Sequence, residues 1–421
     1  LKIAVVGSGG REHCILWRLA RDEDKHSLFA LPGNGGTGGL ARTVDVDVGN
    51  VSALHNALRH LRADLVVIGP EAPLADGIAD RLQSDGIPCF GPVAAAAQIE
   101  ASKTFAKLLM REQAIPTAEF EIFDDFAALE RFVRSAPYGD GWVVKADGLA
   151  AGKGAFVCAS LDDVLANAHA LLVENALGAA GHKVVLERRL KGREVSALFW
   201  CDGARFEALP PAQDYKRAED GDSGPNTGGM GSYCPAAHLS ESLQVEVADR
   251  IVRPVLRALA DRGASYRGVL YVGLMLTEDG PQVIEFNCRF GDPETQAILP
   301  VWGGNFAERL LACCEGRLQP DAQARSGEPQ AAVCVVLAAE GYPGAYEKGI
   351  PLKDAADSEN AVTFHAGTRR SASGLMSSGG RVLNAVGLGA TVAEARAHAY
   401  SHVERIRVQG LRCRSDIARG V

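Results

Sequence analysis

The sequence predicts a multidomain α/β and α+β protein that opens with a doubly wound parallel sheet and closes with a small α/β domain. Three observations predict it. First, apolar runs ending in glycine turns recur through the first hundred residues. Ile3-Ala4-Val5-Val6 precedes Gly7-Ser8-Gly9-Gly10, Leu65-Val66-Val67-Ile68 precedes Gly69-Pro70-Glu71, and, more weakly, Cys89-Phe90 precedes Gly91-Pro92. Runs of this kind, alternating with helical stretches, are how buried strands of a parallel sheet read. Second, from about residue 102 the pattern becomes one of strands, two of them joined by a long glycine-rich loop. Third, 421 residues exceed one ordinary core, so two to four packed units are expected.

In the first unit a helix is expected over 11–21, directly after the first glycine turn. The second regime begins with a helix over 103–113 that ends at Ile115-Pro116. A strand at Trp142-Val143-Val144-Lys145 then runs into Ala146-Asp147-Gly148-Leu149-Ala150-Ala151-Gly152-Lys153-Gly154 and out through a strand over 155–158. Two strands around so many small residues predict a hairpin-like flap with a mobile tip. Strands over 183–187 and 194–199 follow. Residues 210–235 are rich in Gly, Asp, Asn and Pro and poor in regular pattern, and a stretch of that length is functional or disordered. A helix over 241–261 precedes strands over 268–275 and 282–286. Polar residues 321–329 read as a linker to the last unit, with strands near 332–337 and 381–386 and a helix over 392–405.

Composition narrows the function classes. With 47% hydrophobic and 23% charged residues the chain is of ordinary globular type. A net charge of -8 argues against a general nucleic-acid binder, which needs a basic surface, but not against small anions. Ten scattered cysteines without a Cys-x-x-Cys pair do not suggest a disulfide scaffold or a metal site. A reducing, cytoplasmic setting is expected, and no segment has the apolar length of a membrane span.

Three stretches could carry chemistry. Gly7-Ser8-Gly9-Gly10-Arg11-Glu12-His13 begins like a dinucleotide fingerprint, but Glu12 stands where its third glycine belongs. Two readings stay open: a phosphate cradle of backbone amides at a helix N-terminus, or a turn that needs positive φ. In the flap, Lys153 near the tip and Lys145 at the strand end suit closure over a polyphosphate, against the plainer reading of a flexible hairpin. The strongest stretch is Val283-Ile284-Glu285-Phe286-Asn287-Cys288-Arg289-Phe290-Gly291-Asp292-Pro293-Glu294. On a strand, Glu285, Asn287 and Arg289 share one face while Ile284 and Phe286 fill the other. Two hard oxygen ligands suit magnesium, and a guanidinium beside them can hold a carboxylate or an acyl phosphate.

With these residues assembled, the chain resembles the ATP-grasp enzymes, and within them it is similar, nearly end to end, to the glycinamide ribonucleotide synthetase family. The resemblance rests on residues 7–13, Gly69-Pro70-Glu71-Ala72-Pro73-Leu74, residues 145–154 and Gln213-Asp214-Tyr215-Lys216-Arg217. Gly224-Pro225-Asn226-Thr227-Gly228-Gly229-Met230-Gly231, residues 285–294 and Phe364-His365-Ala366-Gly367-Thr368 complete it. It implies a Rossmann-like domain over 1–101, an ATP-grasp core of two α+β subdomains over 102–322, with a mobile part at about 118–188, and a C-terminal domain over 323–421.

The implied chemistry is phosphorylation of the glycine carboxylate by ATP, followed by attack of the 5-phosphoribosylamine nitrogen on the glycyl phosphate. By the resemblance, Glu285 and Asn287 bind magnesium or manganese. Lys103, Lys145, Gly152, Lys153 and Gly154 hold ATP phosphates, Glu187 to Leu190 take the adenine, and Glu194 takes the ribose. Arg289 faces the glycine carboxylate and, with Lys145 and Asp292, forms the catalytic group. Gly9, Gly10, Glu71, Asp214, Lys216, Pro225, Asn226, Thr227, Gly228 and Gly229 form the phosphoribosylamine side, which Arg289 joins. The partners implied are these small molecules, with neither nucleic acid nor membrane, and a monomer or weak dimer. Two positions depart from the family pattern: Ser8 where Asn is common and Tyr215 where His is usual. Competing readings are a different purine-pathway ATP-grasp enzyme, a nicotinamide-dependent oxidoreductase and a non-enzymatic nucleotide sensor. The motif combination, the missing third glycine and the two apparent substrate cradles respectively argue against them.

Overall fold

The structure, a computed structural model, describes residues 1–150, 154–320, 329–354 and 356–421. The expected linker over 321–329 and the flap tip therefore lie largely outside the described residues.

The first unit is the parallel sheet that the glycine-terminated runs predict. Its five strands lie in the order Arg42–Thr43, Ser27–Pro32, Lys2–Gly7, Leu65–Ile68, Cys89–Phe90, all paired in parallel. Ile3, Ala4, Val5 and Val6 are fully buried, as are Leu65, Val66 and Val67, because helices cover both faces. Strand order reverses between Lys2–Gly7 and Leu65–Ile68, so their carboxyl ends make the switch-point crevice where doubly wound sheets bind ligands. Part of that crevice is taken up by the protein itself. The Glu12 side chain lies where any Cβ on Gly7 or Gly69 would have to be.

Two antiparallel four-stranded sheets follow. One has the order Phe120–Phe123, Val184–Arg188, Trp142–Ala146, Ala155–Cys158; the other has Phe206–Ala208, Arg193–Asp202, Arg267–Thr277, Gly280–Asn287. Trp142–Ala146 and Ala155–Cys158 pair from Trp142↔Cys158 to Lys145↔Ala155, which is the hairpin that the flap reading requires. The first sheet has its own apolar core around Leu129, Val144, Val164, Ala168 and Leu186, separate from the cores that join the rest of the molecule.

Two expectations need correcting. Residues 210–235 are not structureless: they form Gln213–Asp214, Arg217–Glu219, Ser223–Asn226 and Gly231–Cys234. Gly231–Cys234 pairs with Ala331–Ala339, placing it in an antiparallel sheet with Arg381–Gly389 and Ala361–His365. The pairing is non-local, so nothing in the short segment itself announces it. The helix expected over 241–261 is interrupted: Glu241–Val247 and Arg253–Asp261 are joined by a π-helical turn, Ala248–Val252. Pro254 has no amide hydrogen to donate back to residue 250, and a wider turn accommodates that loss.

All ten cysteines are free thiols and all but Cys413 are buried. Among the described residues no helix is long and apolar enough to cross a membrane.

Candidate active site

A cleft of about 1310 Å³ runs between the two antiparallel sheets and reaches the N-terminal and C-terminal units. It brings together residues that lie more than two hundred positions apart in the sequence. Lys103, Lys145, Gly154, Glu187, Leu190 and Glu194, expected at the nucleotide, line it. Glu71, Asp214, Lys216, Asn226, Thr227 and Gly228 line the same cleft, as do Glu285, Asn287, Arg289 and Asp292. Gly152 and Lys153 lie outside the described residues. Pro225 and Gly229 belong to the same loop without lining the cleft, and Gly229 packs against Pro293.

The strand Gly280–Asn287 positions the centre of the site. Glu285 accepts a hydrogen bond from Lys216 Nζ at 3.0 Å. Lys216 draws the Glu285 carboxyl down to about 2, against the effect of burial, and Lys145 and Lys103 add to the pull. Glu285 is therefore a carboxylate at every working pH. Asp214 Oδ2 is 4.0 Å from the same ammonium. Burial pushes the Asp214 carboxyl up to about 8, and Glu294, Glu194 and Glu285 reinforce the push while Lys216 opposes it. One lysine cannot neutralise both acids; Glu285 holds it at hydrogen-bonding distance, and burial at Asp214 favours the protonated carboxyl.

That proton has a measurable consequence. An acid whose folded pKa is raised costs nothing below its unfolded pKa, near 4, and costs stability progressively as pH rises toward its folded pKa. Asp214→Asn should melt like the wild type near pH 4. Its advantage should grow by up to about 1.4 kcal/mol per pH unit toward pH 8 and then level off. Thermal unfolding at a series of pH values checks this, and a flat difference would show Asp214 to be ionised throughout.

Arg289 is held from three directions. Its Nε donates to Glu71 Oε2 at 3.2 Å, its Nη2 lies 2.8 Å from Glu100 Oε1, and its Nη1 donates to Phe290 O at 3.2 Å. Burial opposes its charge, but Glu100 and Glu71 outweigh that and raise its pKa further. Glu100 also accepts the Cys288 amide at 2.6 Å. Three of the five guanidinium N–H groups are thus committed to the protein, leaving two for an anion in the cleft. Asp292 is fixed by Arg381 (Nη1 to Oδ1, 3.1 Å) and by Gln296 (2.8 Å). Burial works against its negative charge, while Arg381 and Arg11 more than restore it and lower its pKa.

Lys145 Nζ donates to Glu187 Oε2 at 3.0 Å and to Ile284 O at 3.0 Å. Lys103 begins the helix Lys103–Glu112, whose N-terminus Ser102 caps through the Phe105 amide. Asp147, at the root of the flap, accepts from Ser102 Oγ at 2.9 Å and from the Thr104 amide at 2.6 Å, tying the flap to that helix.

The glycine turn departs from the phosphate-cradle reading. Glu12 accepts the Gly9 amide at 2.5 Å, and Gly10 is buried against Asn384 and Gln296. Gly9 instead approaches Asp292 closely: a Cβ there would lie 3.1 Å from Asp292 Oδ2. Its glycines provide close approach to the site, and Gly7 adopts φ +125°, where side chains are disfavoured.

Sequence reasoning missed Lys107, Glu100 and Arg381. Arg381 donates to both Gly228 O and Asp292 O at 2.8 Å, and the Gly379-Gly380 pair before it was the available signal. Tyr215, set aside because it departs from the family pattern, also has a structural role. It accepts the Ala418 amide at 3.0 Å and lies 4.9 Å beneath the Arg414 guanidinium, which pairs with Asp222 and Asp416. A C-terminal strap thus pins the loop that presents Asp214 and Lys216. Tyr215→Phe should leave the buried Ala418 amide unpaired and cost about 1–3 kcal/mol in thermal unfolding; an unchanged melting curve would mean the strap holds without it.

Three family models match most of the chain. Residues 1–100 match the family model for the phosphoribosylglycinamide synthetase N domain, residues 101–295 its ATP-grasp (A) domain, and residues 332–420 its C domain. The chain belongs to the phosphoribosylglycinamide synthetase family. Among its relatives, the phosphoribosylamine–glycine ligase of Mycobacterium bovis is 46% identical and that of Rhodopirellula baltica 43%; each match covers 99% of this chain and 97% of the relative. The crystal structure of the Thermotoga maritima phosphoribosylamine–glycine ligase superposes with a TM-score of 0.87 at 33% identity, over 99% of this chain and 100% of that one. The biotin carboxylase domain of Hydrogenobacter thermophilus 2-oxoglutarate carboxylase (TM-score 0.74, 16% identity, 98% and 91% covered) shares the fold alone. Family membership thus agrees with the N-terminal parallel sheet, the ATP-grasp core and the C-terminal domain.

Proposed function

We propose that this chain is an ATP-dependent, ADP-forming carbon–nitrogen ligase that joins glycine to 5-phosphoribosylamine in purine biosynthesis. The observation that carries the reading is a single cleft lined by a nucleotide-type wall (Lys103, Lys145, Glu187), a charged centre with one carboxylate and one guanidinium (Glu285, Arg289) and a second polar cradle (Asp214 to Gly228). A nucleotide sensor needs only the first.

In this reading the glycine carboxylate takes the γ-phosphoryl group of ATP, and the phosphoribosylamine nitrogen displaces phosphate to form the amide. A carboxylate is a poor electrophile, so phosphorylation supplies the leaving group. The protein contributes alignment, which can be worth ~7–11 kcal/mol, together with fixed charges aimed at the transferring group. Arg289 offers its two remaining N–H groups to the glycine carboxylate, and Lys145 and Lys103 take ATP phosphates, as do Gly152, Lys153 and Gly154. Residues 187–190 take the adenine and Glu194 the ribose. Asp292, fixed as an anion, orients the incoming amine beside Gly9, Gly10 and Glu71. Asp214, Lys216 and Pro225, Asn226, Thr227, Gly228 and Gly229 form the phosphoribosylamine cradle.

ATP-grasp ligases use a divalent ion, and the donor set here fits a hard one. Glu285 is ionised and shares a strand face with Asn287 inside the cleft. Among the described residues no cluster of three or more His, Cys, Asp or Glu could hold a metal by itself. Two protein oxygens plus nucleotide phosphates and water suit magnesium, with manganese as an alternative. When bound, the ion supplies neutralisation of phosphate charge. The functional units are residues 1–101, 102–322 (with the mobile part at about 118–188) and 323–421, and the setting is a cytoplasmic monomer or weak dimer acting on small molecules.

ADP release tests the reading. It should require both glycine and freshly generated phosphoribosylamine, and robust turnover with bicarbonate or formate in place of glycine would overturn it.

A further inference from the structure

Lys107 is a buried cation that none of the sequence motifs accounts for. It lies one turn beyond Lys103 on Lys103–Glu112, with a side chain only 3% exposed. Its Nζ is 3.1 Å from Glu187 Oε2 and donates to Thr117 Oγ1 at 2.7 Å; that hydroxyl donates in turn to Val283 O at 2.7 Å. Lys145 Nζ donates to the same Glu187 oxygen, Oε2, at 3.0 Å and lies 2.9 Å from Glu187 Oε1. One buried carboxylate is therefore shared by two ammonium groups of different origin. Lys145 comes from the strand beside Glu187 in the flap-bearing sheet, whereas Lys107 comes from a helix outside that sheet. Burial lowers the pKa of Lys107 to about 8 even with Glu187 beside it, so the protein keeps this cation at an energetic cost.

The arrangement poses a competition. A polyphosphate in the cleft needs the Lys145 ammonium, which Glu187 already holds. If Lys145 were the only partner of Glu187, moving it to phosphate would leave a buried carboxylate unpaired, a costly state. With Lys107 in place, Glu187 keeps a full ion pair and a short hydrogen-bonded link to the strand that carries Glu285. We infer that Lys107 is a positioning residue of the nucleotide site: it keeps Glu187 neutralised so that Lys145 is free to engage the polyphosphate. The inference rests on the reading of Lys145 as a phosphate ligand.

Calorimetric binding of magnesium–ATP and of adenosine to the full chain tests it, with melting curves recorded for every variant. Lys107→Met should weaken ATP by about ten- to a hundredfold, the worth of one charge-assisted contact, while adenosine changes little. Lys107→Arg should restore most of the loss. In a Glu187→Gln background, Lys107→Met should cost little further ATP affinity, because the competing charge is already gone. Unchanged ATP binding in Lys107→Met, equal losses for ATP and adenosine, or a loss as large in the Glu187→Gln background as in the wild type would each overturn the proposal. If Lys107→Met does not fold, the Arg and double variants still decide it. A Lys145→Met variant that binds ATP like the wild type would instead overturn the underlying reading of Lys145, and the proposal with it.

Discussion

Glu285→Gln should lose most divalent-dependent turnover while keeping the fold. The substitution preserves shape and removes one negative charge from the centre of the cleft. In the wild type that charge is held low, at about 2, by Lys216 and secondarily by Lys145 and Lys103. An acid with a depressed folded pKa contributes stability that is present above its unfolded pKa, near 4.5, and lost only as pH falls through about 2. Glu285 therefore stays ionised across the whole range in which activity can be measured. Charge stabilisation by a bound divalent ion is worth several kcal/mol, so losing its anionic protein ligand should cut kcat/KM on the order of 10²–10³-fold and raise the magnesium needed for saturation. Lys216 loses its nearest partner, but Asp214, 4.0 Å away, is freed from the Glu285 charge to ionise in its place, so the melting temperature should move only modestly. Rate against magnesium concentration, read beside a melting curve, checks both. Near-wild-type turnover at low magnesium would show the Glu285 row to be structural.

The second large effect is expected at Arg289. Arg289→Lys keeps a positive charge, yet an ammonium cannot reach Glu71, Glu100 and the Phe290 carbonyl together and still present a planar fork to a carboxylate. Glu100 is the group most affected. Burial already pushes its pKa up, with Arg289 as the main opposing influence, so a displaced cation leaves it to take a proton. Breaking a buried pair costs about 3–5 kcal/mol, so the variant should melt lower as well as work poorly. Glycine saturation is the decisive reading: KM for glycine should rise by an order of magnitude or more, at about one factor of ten per 1.4 kcal/mol, while ATP affinity changes far less. Wild-type glycine saturation in the Lys variant would remove Arg289 from the glycine site.

What could be read from the chain was whatever the physics keeps local. Strand periodicity put Glu285 and Asn287 on one face, whereas the strand Gly280–Asn287 ends before Arg289 and a bulge between Val283 and Glu285 lets Ile284 line the cleft as well. The parallel sheet was legible for the same reason: strands covered on both faces must be continuously apolar, as Ile3 to Val6 and Leu65 to Ile68 are. The flap hairpin followed from two strands around a run of small residues. One local signal went unread. The Gly9-x-x-Glu12 spacing is that of a side chain returning to cap the helix start, and it takes up an amide that the phosphate-cradle reading had left open.

The remainder depended on packing between segments that the sequence keeps apart. Residues 210–235 have little pattern of their own, because Gly231–Cys234 is stabilised as a strand only by hydrogen bonds to Ala331–Ala339, a hundred positions later. Glu100 and Lys107 look like ordinary helix charges until tertiary structure sets one against Arg289 and the other against Glu187. The protonation of Asp214 has the same origin: nothing at residue 214 distinguishes it from an exposed aspartate, and only burial beside Glu285, Glu194 and Glu294 raises its pKa. By itself the sequence determined which residue types were available and how neighbours a few positions apart face. The tertiary structure alone decided which charges share a lysine, which carboxyl group keeps its proton and which arginine is left with donors to spare, because each of these is set by distance and burial across separate elements.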